Sequence, residues 1–362
     1  KILVGDCRET LKTLPDASIQ MVCTSPPYWG LRDYGTASWE GGDNNCEHQG
    51  TIIQDNAGSL KPASNSGANM VTKGDCIKCG AGRVDLQIGM EASPQEFVQT
   101  LVSVFDEVRR ILKDDGVLFV NLADSYNNID KWGGGQTNTG KQTVAADGSI
   151  PSFAVRMKRP PIKCLKPKDM CLIPQRFVIA MQEAGWWVRD IIAWIKTAPM
   201  PESVRDRFTK SWEPIFMFTK SARYYFDVDA VKEPSIYPDD NHKARQKPED
   251  YSAMMNNGLQ IKSVINPKNS RPYEMRQMRN AWVLGPESTA DSHFATFPTA
   301  IPRRCILATT KPGDTVLDCF GGSGTVGKVA IGLGRKAIMC ELNPEYVKLI
   351  ERRTTTTIGF AF

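Results

Sequence analysis

Thr315-Val316-Leu317-Asp318-Cys319-Phe320 runs into Gly321-Gly322-Ser323-Gly324-Thr325-Val326-Gly327, and this junction decides the fold class. The apolar run reads as a buried strand, and the glycine-rich stretch as a tight turn entering a helix. Gly322, Gly324 and Gly327 have the spacing at which glycine lets a backbone approach a ligand closely, while the helix behind offers unpaired amides. Lys336-Ala337-Ile338-Met339-Cys340-Glu341 reads as the next strand and Pro344 to Arg352 as the helix after it. Strand, turn, helix, strand is the unit from which helix-covered parallel sheets are wound.

The acidic residues of this unit select its ligand. Glu341, closing the second strand, is placed to accept hydrogen bonds from ribose hydroxyls. Asp318, closing the first, would repel a pyrophosphate but suits S-adenosyl-L-methionine, which carries a cationic sulfonium and ammonium and no phosphate.

The other end of the chain supplies a second unit. Ile2 to Val4 form a short apolar run, Leu11 and Leu14 follow at helical spacing, and Ile19-Gln20-Met21-Val22-Cys23-Thr24 reads as a buried strand. That strand ends at Ser25-Pro26-Pro27-Tyr28, a rigid loop at the end where open parallel sheets bind ligands. Ser93-Pro94-Gln95-Glu96 has the form of a helix start, with Ser93 as N-cap and Glu96 in the capping-box place. Phe97, Leu101, Val104, Phe105, Val108 and Leu112 continue one helical face, and Gly116 separates it from the strand Val117 to Leu122. Gln175 to Ala184 read as helix, Trp186 to Trp194 as strand, and Ile215 to Phe218 as its hairpin partner, an antiparallel pair expected at the sheet edge. Pro302 to Thr309 read as helix.

Two stretches stand outside this pattern. From Gly35 to Gly89 the sequence is rich in Gly, Asn and Ser, a length that compact folds rarely leave without a lid function or a ligand to pin it. Cys46-x-His48 and Cys76-x-x-Cys79 fall inside it and offer four soft or borderline ligands; the second pair has knuckle spacing with Gly74 and Gly80 to turn the chain. A structural Zn2+ is the expectation, since four protein ligands leave no open position for chemistry. Arg223 to Trp282 is rich in Asn, Pro, Lys and Arg, either a solvated loop region or a surface for phosphates.

Composition bounds the class. The chain has 362 residues, 41% hydrophobic and 23% charged, which is globular rather than disordered, and its net charge of +5 permits an anionic partner without demanding one. No apolar run is long enough to cross a bilayer, and Lys1 leads into a strand-like run with no leader pattern. Cys23, Cys319 and Cys340 lie in apolar runs, where free buried thiols are common, so a reduced, cytoplasmic chain is expected.

The two loops together resemble the amino-group DNA methyltransferases. Thr24-Ser25-Pro26-Pro27-Tyr28 is similar to that family's catalytic motif, in which Asp, Asn or Ser precedes Pro-Pro and an aromatic. Asp318-Cys319-Phe320-Gly321-Gly322-Ser323-Gly324-Thr325 is similar to its cofactor motif, with Cys319 where proline is usual. His293-Phe294-Ala295-Thr296-Phe297-Pro298 departs from the family's usual His-Pro-Thr-Gln-Lys-Pro. The order of the motifs resembles the circularly permuted beta group. The resemblance implies a Rossmann-like α/β fold with a permuted seven-stranded mixed sheet, in which Ile2 to Val4 is the third strand of the nucleotide-binding half, Val316 to Asp318 the first and Ala337 to Glu341 the second. It covers the N-terminal fifth, Ser93 to Lys220 more loosely, and His293 to Arg353, but not Gly35 to Gly89.

The expected organisation is a catalytic half over 1–34, an inserted zinc module over 35–90, the rest of the catalytic half over 91–222, a target-recognition region over 223–292 and a cofactor half over 293–362. Cofactor contacts are expected from Asp6, Cys7, Thr24, Asp318, Phe320, Gly322, Ser323, Gly324, Thr325, Glu341 and Asn343, with Asp6 toward the adenine amino group. An aromatic amino nitrogen is a poor nucleophile until it pyramidalises. Ser25 Oγ and the Pro26 carbonyl are expected to accept its two N–H bonds, with Pro27 adding rigidity and Tyr28 stacking on a base drawn out of the duplex. The loop holds no cysteine, so direct transfer is expected. Asn121, Asp124 and Ser125 are candidates to line the base pocket or to cap a loop. Arg205 and Arg207 are candidates for DNA contact, with Asp206 orienting them, and Lys196 and Lys210 are weaker ones. Trp29 and Trp39 are candidates for base separation or core packing.

In the family a serine at the first motif position leans toward N4 of cytosine, so methylation of cytosine N4 in double-stranded DNA is the expectation. N6 of adenine, a non-catalytic DNA-binding relative, and a methyltransferase of protein glutamine or small molecules are the alternatives. A homodimer, and a host modification or phage role, are left open.

Overall fold

The computed structural model describes residues 1–30, 36–48, 51–52, 72–73, 75–127, 165–235, 275–285, 287 and 297–358. Residues 128–164, most of the expected target-recognition region, and His293 to Thr296 lie outside them. The N-terminal elements are β1 Ile2–Val4, α1 Cys7–Thr10 and β2 Ile19–Thr24, then four short strands, β3 Ser38–Glu40, β4 Thr51–Ile52, β5 Thr72–Lys73 and β6 Gly82–Val84. The middle holds α2 Pro94–Ile111, β7 Leu112–Asn121, α3 Ile173–Glu183, β8 Trp187–Lys196 and β9 Trp212–Thr219, followed by β10 Glu233–Pro234, β11 Met275–Arg276 and β12 Ala281–Leu284. The last part is α4 Ala300–Thr309, β13 Thr315–Asp318, α5 Thr325–Gly332, β14 Lys336–Glu341 and α6 Pro344–Ile358.

The main sheet has the order β1-β14-β13-β2-β7-β9-β8-β12. Neighbours pair in parallel except at β9, which runs antiparallel to both β7 and β8. The order β1-β14-β13 is the expected third, second, first arrangement. A switch point lies between β13 and β2, because α5 leads from β13 toward β14 while α2 leads from β2 toward β7.

Among the described residues the sheet has eight strands where seven were expected. The eighth, β12, extends the sheet beyond β8, so the β8–β9 hairpin is not at the edge. It is half-buried, with Trp282 covered and Val283 exposed, and four residues in a polar setting are too few to reveal alternation. A second correction concerns Gly116, which lies inside β7 rather than separating helix from strand. A Cβ there would meet Leu112 Cγ at 2.7 Å and the Gln20 carbonyl at 2.9 Å, so α2 passes straight into β7 only where residue 116 has no side chain.

Helix α2 begins as its sequence demands. Ser93 Oγ accepts from the Glu96 amide at 3.2 Å, while the Glu96 carboxylate reaches the Ala92 amide at 3.1 Å. Its Phe97, Leu101, Val104, Phe105, Val108 and Ile111 are buried against the sheet. Phe177 of α3 meets Phe105 at 5.6 Å and Phe218 of β9 at 5.8 Å between ring centroids. Each such buried ring contributes about 1.5–3 kcal/mol by leaving water, enough to hold α2 and α3 on one face. Trp29 is buried in this core and donates to the Glu91 carbonyl, so it packs rather than reaching outward.

By compactness the chain divides into Lys1–Phe226 with Asn280–Phe362, and Asp227–Arg279. In the latter, β10 pairs antiparallel with β11, and Glu233 Oε1 accepts from Arg276 Nε at 2.9 Å and Arg279 Nε at 2.8 Å.

Candidate active site and metal centre

The C-terminal ends of β2 and β13 meet at the switch point. Thr24 closes β2 and donates its hydroxyl to Asp318 Oδ1 at 2.6 Å; the same oxygen accepts from the Phe320 amide at 3.1 Å. Burial raises the Asp318 carboxyl to about 7; the bonds from Thr24 and Phe320 pull the other way, and the charge of nearby Glu341 adds a lesser upward push. A buried carboxylate so poised gains from a cation and loses from an anion.

The glycine-rich turn is built for close approach. Gly324 has φ +76°, and a Cβ there would lie 3.2 Å from Ile350 of α6. Gly327 packs α5 against β14 so tightly that a Cβ would fall 2.3 Å from Met339 Sδ. Glu341 ties the turn to the neighbouring strand, its oxygens accepting from the Gly322 amide at 2.7 Å and the Asn343 amide at 2.8 Å. A carboxylate has about four acceptor positions, so two amide bonds leave room for ribose hydroxyls. Ser323 and Thr325 are buried with their hydroxyls 3.2 Å apart, and Phe320 is half-buried. Asn343 accepts from the Glu345 amide at 2.9 Å and so caps α6.

Asp6 and Cys7 follow β1. Asp6 caps α1 through the Arg8 amide and is gripped by the Arg8 guanidinium, whose Nε lies 2.9 Å from Oδ2. Arg8 also donates to the Leu86 carbonyl at 3.0 Å, joining this corner to the end of the inserted segment. Cys7 is buried, which pushes its thiol well up. Cys319 is buried too, filling the usual proline place with apolar volume.

Beyond β2, Ser25 is half-buried, Pro26 buried and Pro27 half-buried. Gly30 donates to the Gly89 carbonyl at 2.7 Å, so the returning end of the insertion lies along the loop. The Tyr28 hydroxyl lies 2.9 Å from both Asn121 Oδ1 and Glu213 Oε2. Asn121 thus belongs to the site, whereas Asp124 accepts from the Leu172 and Ile173 amides and caps α3. Ser125 Oγ is buried with no hydrogen-bond partner among the described residues. Glu213 was not foreseen; its signal was a lone carboxylate opening the apolar run Pro214 to Phe218.

Between β8 and β9 the basic residues divide. Arg205 is exposed. Arg207 donates to both oxygens of Glu202, at 2.6 and 3.2 Å, with its guanidinium 4.1 Å from the Tyr126 ring centroid. Lys210 reaches the Asp124 carbonyl, and burial lowers its ammonium. Asp206 does not orient the arginines but pairs with Lys168 at 2.6 Å, a cation distant in sequence.

In the inserted segment β3 pairs with β6 and β4 with β5. This brings Cys46 and His48 from one arm to Cys76 and Cys79 from the other, with all four ligand atoms within 4.8 Å of one another. Cys46 Sγ lies 3.9 Å from Cys76 Sγ, and Cys79 Sγ 3.3 Å from His48 Nδ1. Zn–S bonds of about 2.3 Å in a tetrahedron span such separations. The Gly80 amide donates to the Cys76 carbonyl at 2.8 Å, closing the knuckle, and Trp39 stacks on His48 at 5.2 Å. Trp39 therefore supports the cluster.

Sheet order, glycine turn and proline loop define a circularly permuted Rossmann-like methyltransferase. Within that class, the DNA methylase family, covering N6 and N4 amino-methyltransferases, matches residues 19–352, and the chain belongs to it. It is 36% identical to the type II methyltransferase M.Cfr9I of Citrobacter freundii over 96% of this chain and 85% of that one. It is 35% identical to the type II methyltransferase M.SmaI of Serratia marcescens over 98% of this chain and 90% of that one. Among solved structures, PvuII DNA methyltransferase (cytosine-N4-specific) aligns with TM-score 0.54 at 19% identity, over 98% of this chain and 85% of that one. A putative DNA modification methylase of Thermus thermophilus, TTHA0409, complexed with S-adenosyl-L-methionine, aligns with TM-score 0.52 at 18% identity, over 99% of this chain and 95% of that one. Among the described residues, no helix is long and apolar enough to cross a membrane.

Proposed function

We propose that this chain is a site-specific DNA methyltransferase that transfers a methyl group from S-adenosyl-L-methionine to N4 of cytosine. The observation that carries this reading is the meeting of Ser25-Pro26-Pro27-Tyr28 and the Asp318 turn across one switch point, bridged by Thr24. Serine at the first motif position and the likeness to a cytosine-N4-specific fold favour cytosine over adenine.

The residues suit that donor: Asp318 offers a buried negative charge, Glu341 has lone pairs to spare, and the turn excludes side-chain bulk. Bound there, S-adenosyl-L-methionine supplies an electrophilic methyl group on its sulfonium. Ser25 Oγ and the Pro26 carbonyl accept hydrogen bonds from the two amino N–H groups and so draw the nitrogen lone pair out of the ring, and Tyr28 carries the base on its face. The prolines hold these acceptors in place beforehand, so little reorganisation is left for the reaction. Asp6, Cys7, Phe320, Ser323, Thr325 and Asn343 shape the walls of the donor site.

The Cys46, His48, Cys76 and Cys79 cluster holds a structural Zn2+ that ties residues 36–48 to residues 75–84. Residues 223–292 read the target in double-stranded DNA, with Arg205 at the phosphates, while Arg207 and Lys210 brace the loop that carries it through Glu202, Tyr126 and the Asp124 carbonyl. The chain works in the cytoplasm of a bacterial host or phage-infected cell, and gel filtration decides between monomer and homodimer. Incubation with unmethylated genomic DNA and labelled donor, then nucleoside mass spectrometry, tests the reading. N4-methylcytosine is expected; N6-methyladenine would reverse the base, and no modified nucleoside would overturn the assignment.

A further inference from the structure

Tyr28 is held by its far end. Asn121, which closes β7, and Glu213, near the start of β9, receive its hydroxyl from adjacent strands. Both acceptors are themselves aimed. Asn121 Nδ2 donates to the Pro214 carbonyl at 3.1 Å, which turns its amide oxygen toward Tyr28. The second carboxylate oxygen of Glu213 pairs with Lys196, the last residue of β8, and the side chains of this pair are only 14% and 27% exposed. Lys196 Nζ also rests 4.6 Å from the Trp194 ring centroid. The ladder register, with Asn121 opposite Ile215 and Trp194 opposite Glu213, assembles the group at the catalytic end of the sheet.

We propose that Glu213 and Asn121 are positioning residues that fix the plane of the Tyr28 ring through its hydroxyl, with Lys196 keeping Glu213 aimed. This rests on the reading of Tyr28 as the surface on which the target base stacks. A phenyl ring would offer the same stacking face, but packing alone would leave it freedom about its side-chain torsions. A charge-assisted hydrogen bond at the ring's far end removes that freedom before the base arrives, so the reacting amino group meets the Ser25 and Pro26 acceptors in one geometry. One hydroxyl proton faces two acceptors: the carboxylate takes the stronger share, and the amide oxygen limits the swing.

The test is single-turnover methyl transfer to unmethylated genomic DNA by the full chain, comparing wild type, Y28F, E213A, E213Q and the Y28F/E213A double variant. Y28F and E213A are each expected to slow transfer about tenfold, the loss of one charged hydrogen bond in the transition state. Their affinity for S-adenosyl-L-methionine should stay within about twofold, because the hydroxyl meets Asn121 and Glu213, neither of which is assigned to the donor site. The double variant should be no slower than Y28F, since both changes remove one bond, and E213Q, which keeps a carbonyl acceptor, should recover part of what E213A loses. An unchanged rate in E213A, or losses that multiply independently, would overturn the proposal. Should Y28F show no measurable transfer, equal losses in E213Q and E213A would overturn it instead. Absence of transfer by the wild-type chain would strike the proposed function itself, a separate failure.

Discussion

Thr24 Oγ1 donates to Asp318 Oδ1 at 2.6 Å in a buried bond between residues 294 positions apart. It joins the last residue of β2 to the last residue of β13, and so fastens the Ser25–Tyr28 loop to the glycine-rich turn. The permuted chain order places these motifs at opposite ends of the sequence, yet β13 and β2 are direct neighbours.

Asp318 makes donor binding depend on pH. Burial holds its carboxyl at about 7, above the unfolded value of about 4, so the folded chain keeps this proton more tightly than the unfolded one. Its contribution to stability accordingly falls as pH rises from about 4 to about 7. A cationic ligand favours the ionised form, so binding strengthens through the same region. Calorimetry is expected to show S-adenosyl-L-methionine binding about three- to tenfold tighter at pH 8 than at pH 6, with D318N weak and flatter with pH. Equal pH dependence in wild type and D318N would contradict this.

Ser25→Ala removes one acceptor for the amino protons while leaving the donor site whole. Single-turnover methylation should drop on the order of 10- to 100-fold with little change in donor affinity. A parallel loss of both would place Ser25 in donor binding instead.

The cysteine and histidine cluster predicts one bound metal per chain. Elemental analysis after dialysis should find stoichiometric zinc, and Cys79→Ala should lose it and expose residues 36–48 and 75–84 to proteolysis. A fully folded, protease-resistant chain without metal would remove the cluster's structural role.

The two arginines before β9 should separate. Arg205 is exposed, so Arg205→Ala should weaken DNA binding at all sequences and reduce the salt slope by about one. Arg207 is committed to Glu202 and the Tyr126 ring, so Arg207→Ala should chiefly lower the melting temperature. A normal salt slope in Arg205→Ala would move the phosphate contact elsewhere.

Much of the fold was legible because it is written locally. Alternation and apolar runs marked β2, β13 and β14, the Ser93 cap marked the start of α2, and paired Cys and His spacing marked the cluster. Other features had no local signature. β12 is four residues that become a strand only beside β8, and Gly116 looks like a boundary until Leu112 and Gln20 crowd it. Asp206 pairs with Lys168 rather than its arginine neighbours, because the chain folds back to bring that lysine nearer.

Read alone, the residues settle which chemistry is on offer: a proline-stiffened acceptor loop, a glycine turn and a four-ligand cluster, each set by neighbours within a few positions. Which of them meet is another matter. The Thr24–Asp318 bond and the Tyr28, Asn121, Glu213 and Lys196 group exist only because eight strands take one order and register. Strand order and register are chosen by backbone hydrogen bonds and side-chain packing between segments far apart in sequence, and no short stretch of residues carries that information.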